Sequence, residues 1–574
     1  MSEPDLPATD TPTTLAPSPS PTATTPNGHG SAQPSPDWWR TGVLYQIYPR
    51  SFADSSGDGV GDLAGIIDRL DYLNNGTPDS LGVDAIWLSP IYPSPGFDVG
   101  YDVSDYTGID PLFGSMADFE RLVEESHRRG IRVILDLVLN HTSHLHPWFV
   151  ASRSGRAGPY SDFYIWRDPS GWVAGRPRRP NNWGSFFGGS AWTWDESRRQ
   201  FYLHTFLPQQ PDLNWRNPAA RGALLDVVRT WLGRGVDGFR LDVFNVFFKD
   251  AELRSNPRRF GRRRAWARQI HRYDKDQPEL VALLADVRAI VDEQPGRMTV
   301  GELFTGTVEQ AAGYQAPGHL VFDFSMVETP WDAQAFAAAI AAREAAFGPE
   351  GWPTIVLSNH DQPRHASRFD DGRLGDARAK VAATLELTLR GTPFLYYGEE
   401  IGLRNVPIPP DEIIDPPARR ASLFDRWWNR DQARAPMPWG PGPNGGFSRA
   451  RPWLRMSPEF ETRNVAAQDD DSSSLLSFYR RLVWLRRSSR PLQIGAYQEV
   501  DVEDRDVLAY VRRLDRQEAL VVLSFADREA KVHLPAPDGT GSWRLLLSSH
   551  DASEPEDNGR LVLRPLEAAV FARS

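Results

Sequence analysis

Residues 132–141 read Arg-Val-Ile-Leu-Asp-Leu-Val-Leu-Asn-His, an apolar run that ends on two polar side chains. Near-continuous apolar runs of this length suit parallel strands covered on both faces. The pattern recurs in Val83–Leu88 (VDAIWL), Val236–Val243 (VDGFRLDV), Met298–Leu303 (MTVGEL), Thr354–Ser358 (TIVLS) and Pro393–Tyr397 (PFLYY). Helical patterns lie between these runs. Ser115 and Asp118 form a capping box, Phe119, Leu122 and Val123 share one face, and Gly130 ends the segment. Asn217-Pro218 opens a second helix through Leu224, Leu225, Val228 and Trp231 to Gly235. Repeated strand–helix units predict an α/β fold, a (β/α)8 TIM barrel.

Outside these units the composition changes. Residues 1–36 hold nine prolines among many Ser and Thr and no aromatic side chain, so they read as a disordered tail, with order starting at Trp38-Trp39. The barrel is expected over 37–141 and 209–485. Residues 142–208, rich in Trp, Gly, Pro and Arg, read as an inserted subdomain after the third strand. A long Pro- and Arg-rich loop is expected over about 404–455. From 490 to 574 the pattern alternates, as in Val507–Val511 and Ala519–Ser524, which predicts a C-terminal antiparallel β-sandwich domain.

A net charge of −11 gives no basic footprint for nucleic acid and no attraction to an anionic membrane. The cluster Arg258, Arg259, Arg262, Arg263 and Arg264 reads as a solvated helix face. The absence of Cys excludes disulfides and thiolate metal sites and fits a cytoplasmic protein. No run of 18 apolar residues suggests a membrane span, and the N-terminus lacks signal-peptide features. The many aromatic residues, 20 Trp, 16 Tyr and 28 Phe, offer flat faces on which sugar rings stack. No oligomeric state is predicted.

The polar residues fall at the strands' C-terminal ends: Asn140-His141, Asp242, Glu302 and Asn359-His360-Asp361. In a barrel those ends converge on one face, where active sites lie. Glycoside hydrolysis needs one carboxylate to attack and one acid to protonate the leaving oxygen. A third anion can raise the acid's pKa and stabilise charge on the sugar. Asp242, Glu302 and Asp361 supply that trio. Arg240 lies two residues before Asp242 on the same strand face, placed to hold it ionised. His141 and His360 can donate to sugar hydroxyls.

These motifs resemble glycoside hydrolase family 13, the α-amylase family: Asp136–His141 (DLVLNH), Gly238–Asp242 (GFRLD), Gly301-Glu302, Ser358–Asp361 (SNHD) and Gly391–Glu400 (GTPFLYYGEE). The resemblance covers residues 38 to 574. It implies that Asp242 is the nucleophile, Glu302 the acid/base and Asp361 the transition-state stabiliser. Gln210–Asn214 (QPDLN) and Asn181–Trp192 (NNWGSFFGGSAW) resemble the oligo-1,6-glucosidase and α-glucosidase branch. That likeness implies that Asp102, beside Tyr101, binds the non-reducing glucose, with Arg430 as partner from the long loop. Phe163 and Phe186 are then expected as aromatic walls. Val243 accompanies α-1,6 preference in this branch, whereas Phe244 departs from the small aliphatic residue common there. The implied partners are small α-glucosides.

Asp54, Ser56, Asp58, Val60 and Asp62 alternate oxygen donors as a hard cation requires, although the twelfth position counted from Asp54 is Gly65 rather than Glu. The resemblance implies a structural calcium here, with the Val60 carbonyl among the ligands. It implies no catalytic cofactor. A sucrose isomerase or glucosyltransferase of the same family is the alternative function. An inactive amylase-like scaffold is the remote one, disfavoured by the three retained acids.

Overall fold

Eight short strands lie parallel in one sheet of the computed structural model, which describes residues 37–262, 266–420, 428–534, 542–550 and 559–573. They are β1 Leu44–Ile47, β2 Ala85–Leu88, β3 Arg132–Leu137, β4 Gly238–Leu241, β5 Met298–Gly301, β6 Leu320–Val321, β7 Thr354–Ile355 and β8 Thr392–Tyr396. Neighbours pair in chain order from β1 to β6, and β8 joins β1 to β7. The gap between β6 and β7 is bridged by the Thr354 hydroxyl, which donates to Val321 O at 3.2 Å and accepts from Asp323 N at 3.0 Å. Almost every strand residue is buried, because helices cover the outer face and side chains fill the inside.

The covering helices start and stop where side chains supply the missing hydrogen bonds. Ser115 and Asp118 form a complete capping box before the helix Met116–Arg128, and Gly130 follows it at φ +71°. Asn217 caps Pro218–Gly233 by accepting from Ala219 N and Ala220 N. Leu224, Val228 and Trp231 on that helix are buried, while Leu225 is only half-buried.

Between β3 and β4 the chain leaves the barrel. It forms a helix, Pro147–Arg153, and an antiparallel sheet of Trp166–Arg167, Gln200–Leu203 and Trp192–Asp195. Polar side chains staple this insert to the segment after β4. Asn181 Nδ2 donates to Leu253 O at 2.9 Å, Asn182 Nδ2 to Asn256 O at 2.8 Å and Trp183 Nε1 to Arg254 O at 3.0 Å.

The C-terminal region is a five-stranded antiparallel sheet in the order Ala496–Val500, Val507–Leu514, Gln517–Ser524, Ala568–Arg573, Arg544–Ser548. A two-stranded sheet of Ala530–His533 and Arg560–Leu563 packs on it, with Val532, Leu561 and Leu563 meeting Val522 and Phe571 in one core. Buried Arg512 ties the sheet to the barrel by donating to Thr388 O at 2.6 Å and Leu492 O at 3.0 Å.

Some expectations fall differently. Arg258, Arg259 and Arg262 are solvated, but Arg258 lies on an isolated bridge and the other two on irregular chain rather than on a helix face. Arg263, Arg264 and the tail 1–36 lie outside the described residues. Among the described residues no helix is long and apolar enough to cross a membrane.

Candidate active site

Arg240 organises the C-terminal end of the barrel. It is 1% exposed, between the rings of Trp87 and Tyr101 at 5.3 and 5.8 Å. Its Nη1 donates to Asp136 Oδ1 and to Asp242 Oδ1, both at 2.6 Å, and its Nη2 lies 2.5 Å from Glu302 Oε2. Three carboxylates thus share one guanidinium. Pairing and hydrogen bonding make such burial tolerable, but one positive charge cannot balance three negative ones. Burial pushes Asp136 up to about 6, against the pull of Arg240. Burial also raises Asp242 well above the carboxylate range, again against Arg240, with Glu302, Asp136 and Asp361 adding to the rise.

Glu302 follows β5 and receives a second donor. Val243 N–H reaches Glu302 Oε2 at 3.2 Å because Val243 sits at φ 38°, ψ 40°. The left-handed region is an outlier for a β-branched residue and costs about 1–2 kcal/mol. Gly301, just before Glu302, accommodates Phe244: a Cβ there would come within 2.6 Å of the Phe244 ring, so the bare glycine makes room for it.

Asp361 has different company. Arg434 Nη2 donates to Asp361 Oδ1 at 2.7 Å, and Arg430 Nη1 lies 3.3 Å from the same oxygen. Burial alone would raise this carboxyl, but the neighbouring His360, Arg430, Arg434 and Arg240 hold it below the usual range. Burial pushes His360 down to about 3, so it is neutral at pH 7 and the arginines supply the charge. His360 stacks on Tyr101 at 5.5 Å and 4°, and their Nε2 and hydroxyl are 2.6 Å apart. His141, pushed down to about 4 by burial, contacts Tyr101 O at 3.0 Å.

Arg430 also donates to Asp98 Oδ1 and Asp415 Oδ1, each at 2.7 Å. The expected pairing of Arg430 with Asp102 is therefore corrected. Asp102 is 0% exposed, and its oxygens accept from Ser94 Oγ, Phe97 N and Asp98 N, so it shapes the loop that presents Asp98. Phe163 is corrected too: it packs edge-on against Trp148 and Tyr160 in the core and lines neither site cavity described below. His360 and Arg240 stand behind the wall rather than in it.

Two adjoining cavities share Phe186, Phe187, Glu302, Phe304, Asp361 and Arg430. The inner one, about 70 Å³, adds Asp98, Tyr101, His141, Phe206, Asp242 and Val243. The outer chamber, about 530 Å³, extends along Thr305–Glu309 and Phe322–Ser325 to Glu328 and Trp428. Phe186 lines both cavities, 4.5 Å from Phe304. The QPDLN segment braces the inner end. Gln210 Nε2 donates to Asp98 Oδ2 at 3.2 Å, and buried Asp212 pairs with Lys249 at 2.8 Å and accepts from Asn140 Nδ2 at 3.2 Å.

The loop Asp54–Asp62 lies apart from these cavities. Asp54 accepts from Gly57 N and Gly59 N, and Asp62 from Ser55 N, Ser56 N and Gly65 N. Asp58 accepts from Val60 N at 2.8 Å. Among the described residues, no three acidic or histidine side chains gather as a cation cage. The donor chemistry is that of a hard-cation loop, but its carboxylates are turned to their own N–H groups.

Comparison with known proteins agrees with this geometry. Residues 46–495 match the alpha amylase catalytic domain and residues 497–570 the maltogenic amylase C-terminal domain. A probable alpha-glucosidase of Rhizobium meliloti is 42% identical, over 88% of this chain and 92% of that one. The oligo-1,6-glucosidase of Parageobacillus thermoglucosidasius is 37% identical, over 93% and 98%. The crystal structure of a trehalulose synthase from Pseudomonas mesoacidophila is 35% identical, covers 94% of this chain and 99% of that one, and superposes with a TM-score of 0.83. With a parallel barrel, carboxylates gathered at its C-terminal end and both domain models matched in sequence order, the chain belongs to the α-amylase family and is a glycoside hydrolase.

Proposed function

We propose that the protein is an exo-acting, retaining α-glucosidase that releases glucose from short α-glucosides, leaning to α-1,6 linkages. The observation that carries this reading is the single guanidinium of Arg240 bound to both Asp242 and Glu302 beside a small inner cavity. Carboxylates held this close favour direct attack over the wider spacing that an intervening water requires. In this reading Glu302 protonates the glycosidic oxygen while Asp242 forms a β-glucosyl ester. Glu302 then activates water, and α-glucose leaves. Asp361 opposes positive charge on the ring. Asp98 and Arg430 hold the non-reducing hydroxyls, and Tyr101 offers a stacking face. Transfer to a sugar acceptor is the same second step with a different nucleophile.

Val243 lines the inner cavity beside the bond to be cleaved and supports the α-1,6 preference. One methyl-scale difference there changes selectivity by about 1–3 kcal/mol. Hydrolysis of isomaltose, maltose and sucrose, followed by product chromatography with Asp242→Asn as control, tests the reading. Glucose is expected mainly from isomaltose. Faster release from maltose discards the linkage preference, and isomerised disaccharide from sucrose replaces hydrolysis with transfer.

The same reading assigns Asp54, Ser56, Asp58, the Val60 carbonyl and Asp62 to a structural calcium. Three carboxylates lie within nine residues, and none of them has a Lys or Arg ion-pair partner among the described residues. A cation would share oxygens that now accept from loop N–H groups.

A further inference from the structure

The outer chamber carries charge that the chemistry at Glu302 does not use. Glu309 and Glu328 stand exposed on its wall, and neither pairs with a cation among the described residues. Together with Asp323 and Asp361 they set four carboxylates beside Glu302 on a wall whose one basic side chain among the described residues is Arg430. Arg430 is already engaged by Asp98, Asp361 and Asp415. A concave wall of one sign focuses its field on whatever enters.

The departing half of a glucoside must occupy this chamber, because Glu302 protonates the leaving oxygen there. We propose that the chamber selects α-glucosides with cationic or neutral departing groups over anionic ones, and that Glu309 and Glu328 set this preference. The proposal rests on the glucosidase reading above.

A third cavity, about 610 Å³, has the opposite character, with Arg259 and Arg262 on its wall. It meets the chamber at Thr305 and lies beyond the packed rings of Phe186, Phe304 and Trp266. Neither Glu302 nor Asp361 lines it. Short departing groups therefore sample the acidic wall, and the test uses short probes.

Those probes are three phenyl α-glucosides carrying a para aminomethyl, hydroxymethyl or carboxylate group. The kcat/KM of the charged pair is measured at low ionic strength, each value normalised to the neutral glucoside on the same protein. In the double variant Glu309→Gln/Glu328→Gln the cationic-to-anionic ratio should fall roughly ten-fold, since each exposed charge contributes a factor of up to about five. The unmodified chain should show the same fall in the ratio on raising NaCl to about 0.5 M, where screening reaches a few ångströms. This second arm needs no variant to fold. A ratio unmoved by both substitution and salt, with the neutral glucoside still hydrolysed, overturns the proposal. Failure to hydrolyse any of the three overturns it together with the glucosidase reading.

Discussion

Asp98 and Asp102 are four residues apart in one loop, yet they face different tasks. Asp98 pairs with Arg430 in the cavity wall, while Asp102 accepts from Ser94, Phe97 and Asp98 beneath it. Asp98→Asn should lower kcat/KM on isomaltose by about a hundred-fold or more, because it leaves buried Arg430 short of a partner and weakens sugar recognition. Asp102→Asn should act mainly on stability, and its effect should depend on pH. Burial pushes Asp102 up to about 6, against its backbone and Ser94 hydrogen bonds. A raised carboxyl contributes stability that is present below its unfolded value near 4 and lost as pH rises through about 6. The variant cannot lose it, so its melting temperature relative to the parent should improve between pH 4 and pH 7, by the equivalent of up to about 3 kcal/mol. A pH-independent difference, or a catalytic loss matching that of Asp98→Asn, would contradict this division of labour. The resemblance pointed to Asp102, and only the folded loop shows that its oxygens are already taken while Asp98 meets Arg430. Asp136 had a readable signal, a carboxylate inside an apolar run, yet its link to Arg240 depends on the register between β3 and β4.

Short strands decide how much of the barrel is legible. Runs such as RVILDL announce themselves, and six strands coincide with such runs. Leu44–Ile47 is only four residues long with a polar Gln46 inside it, and Leu320–Val321 has two residues, too few for any period to register. Gln46 is polar because its amide nitrogen donates to His360 at 2.7 Å, so site support interrupts the strand pattern. The Gly301–Phe244 contact makes a prediction at this scale. Gly301→Ala would push a Cβ into the Phe244 ring and should cost about 1–3 kcal/mol as overpacking, with loss of activity as Glu302 shifts. Phe244→Leu in the same chain should restore much of both, as thermal melts and kcat on a neutral glucoside would report. Additive damage in the double variant would contradict the packing account.

At the scale of the whole molecule, the barrel, insert and C-terminal sheets were legible from composition and periodicity, because each changes the spacing of apolar residues. The long loop was legible only as an irregular segment. Its function comes from contacts that lie 69 to 394 residues apart in the chain: Arg430 and Arg434 reach Asp361, while Ser448 Oγ reaches Asp54 and Trp453 N reaches Gly59 O at 2.9 Å. The Asp54–Asp62 loop thus pins the start of the barrel to the loop that delivers the two arginines. If calcium holds it, dialysis against EDTA should lower the melting temperature by several degrees, and calcium should restore it. Unchanged melting with and without the ion would remove calcium from the account.

The central claim, that Asp242 is the nucleophile of a retaining reaction, is tested most directly by trapping the ester. Incubation with 5-fluoro-α-glucosyl fluoride followed by digestion and mass spectrometry should add one fluoroglucosyl mass to the peptide bearing Asp242, and Asp242→Asn should take none. Label on another carboxylate, or turnover of the fluoride with no covalent adduct and inverted product, would contradict it.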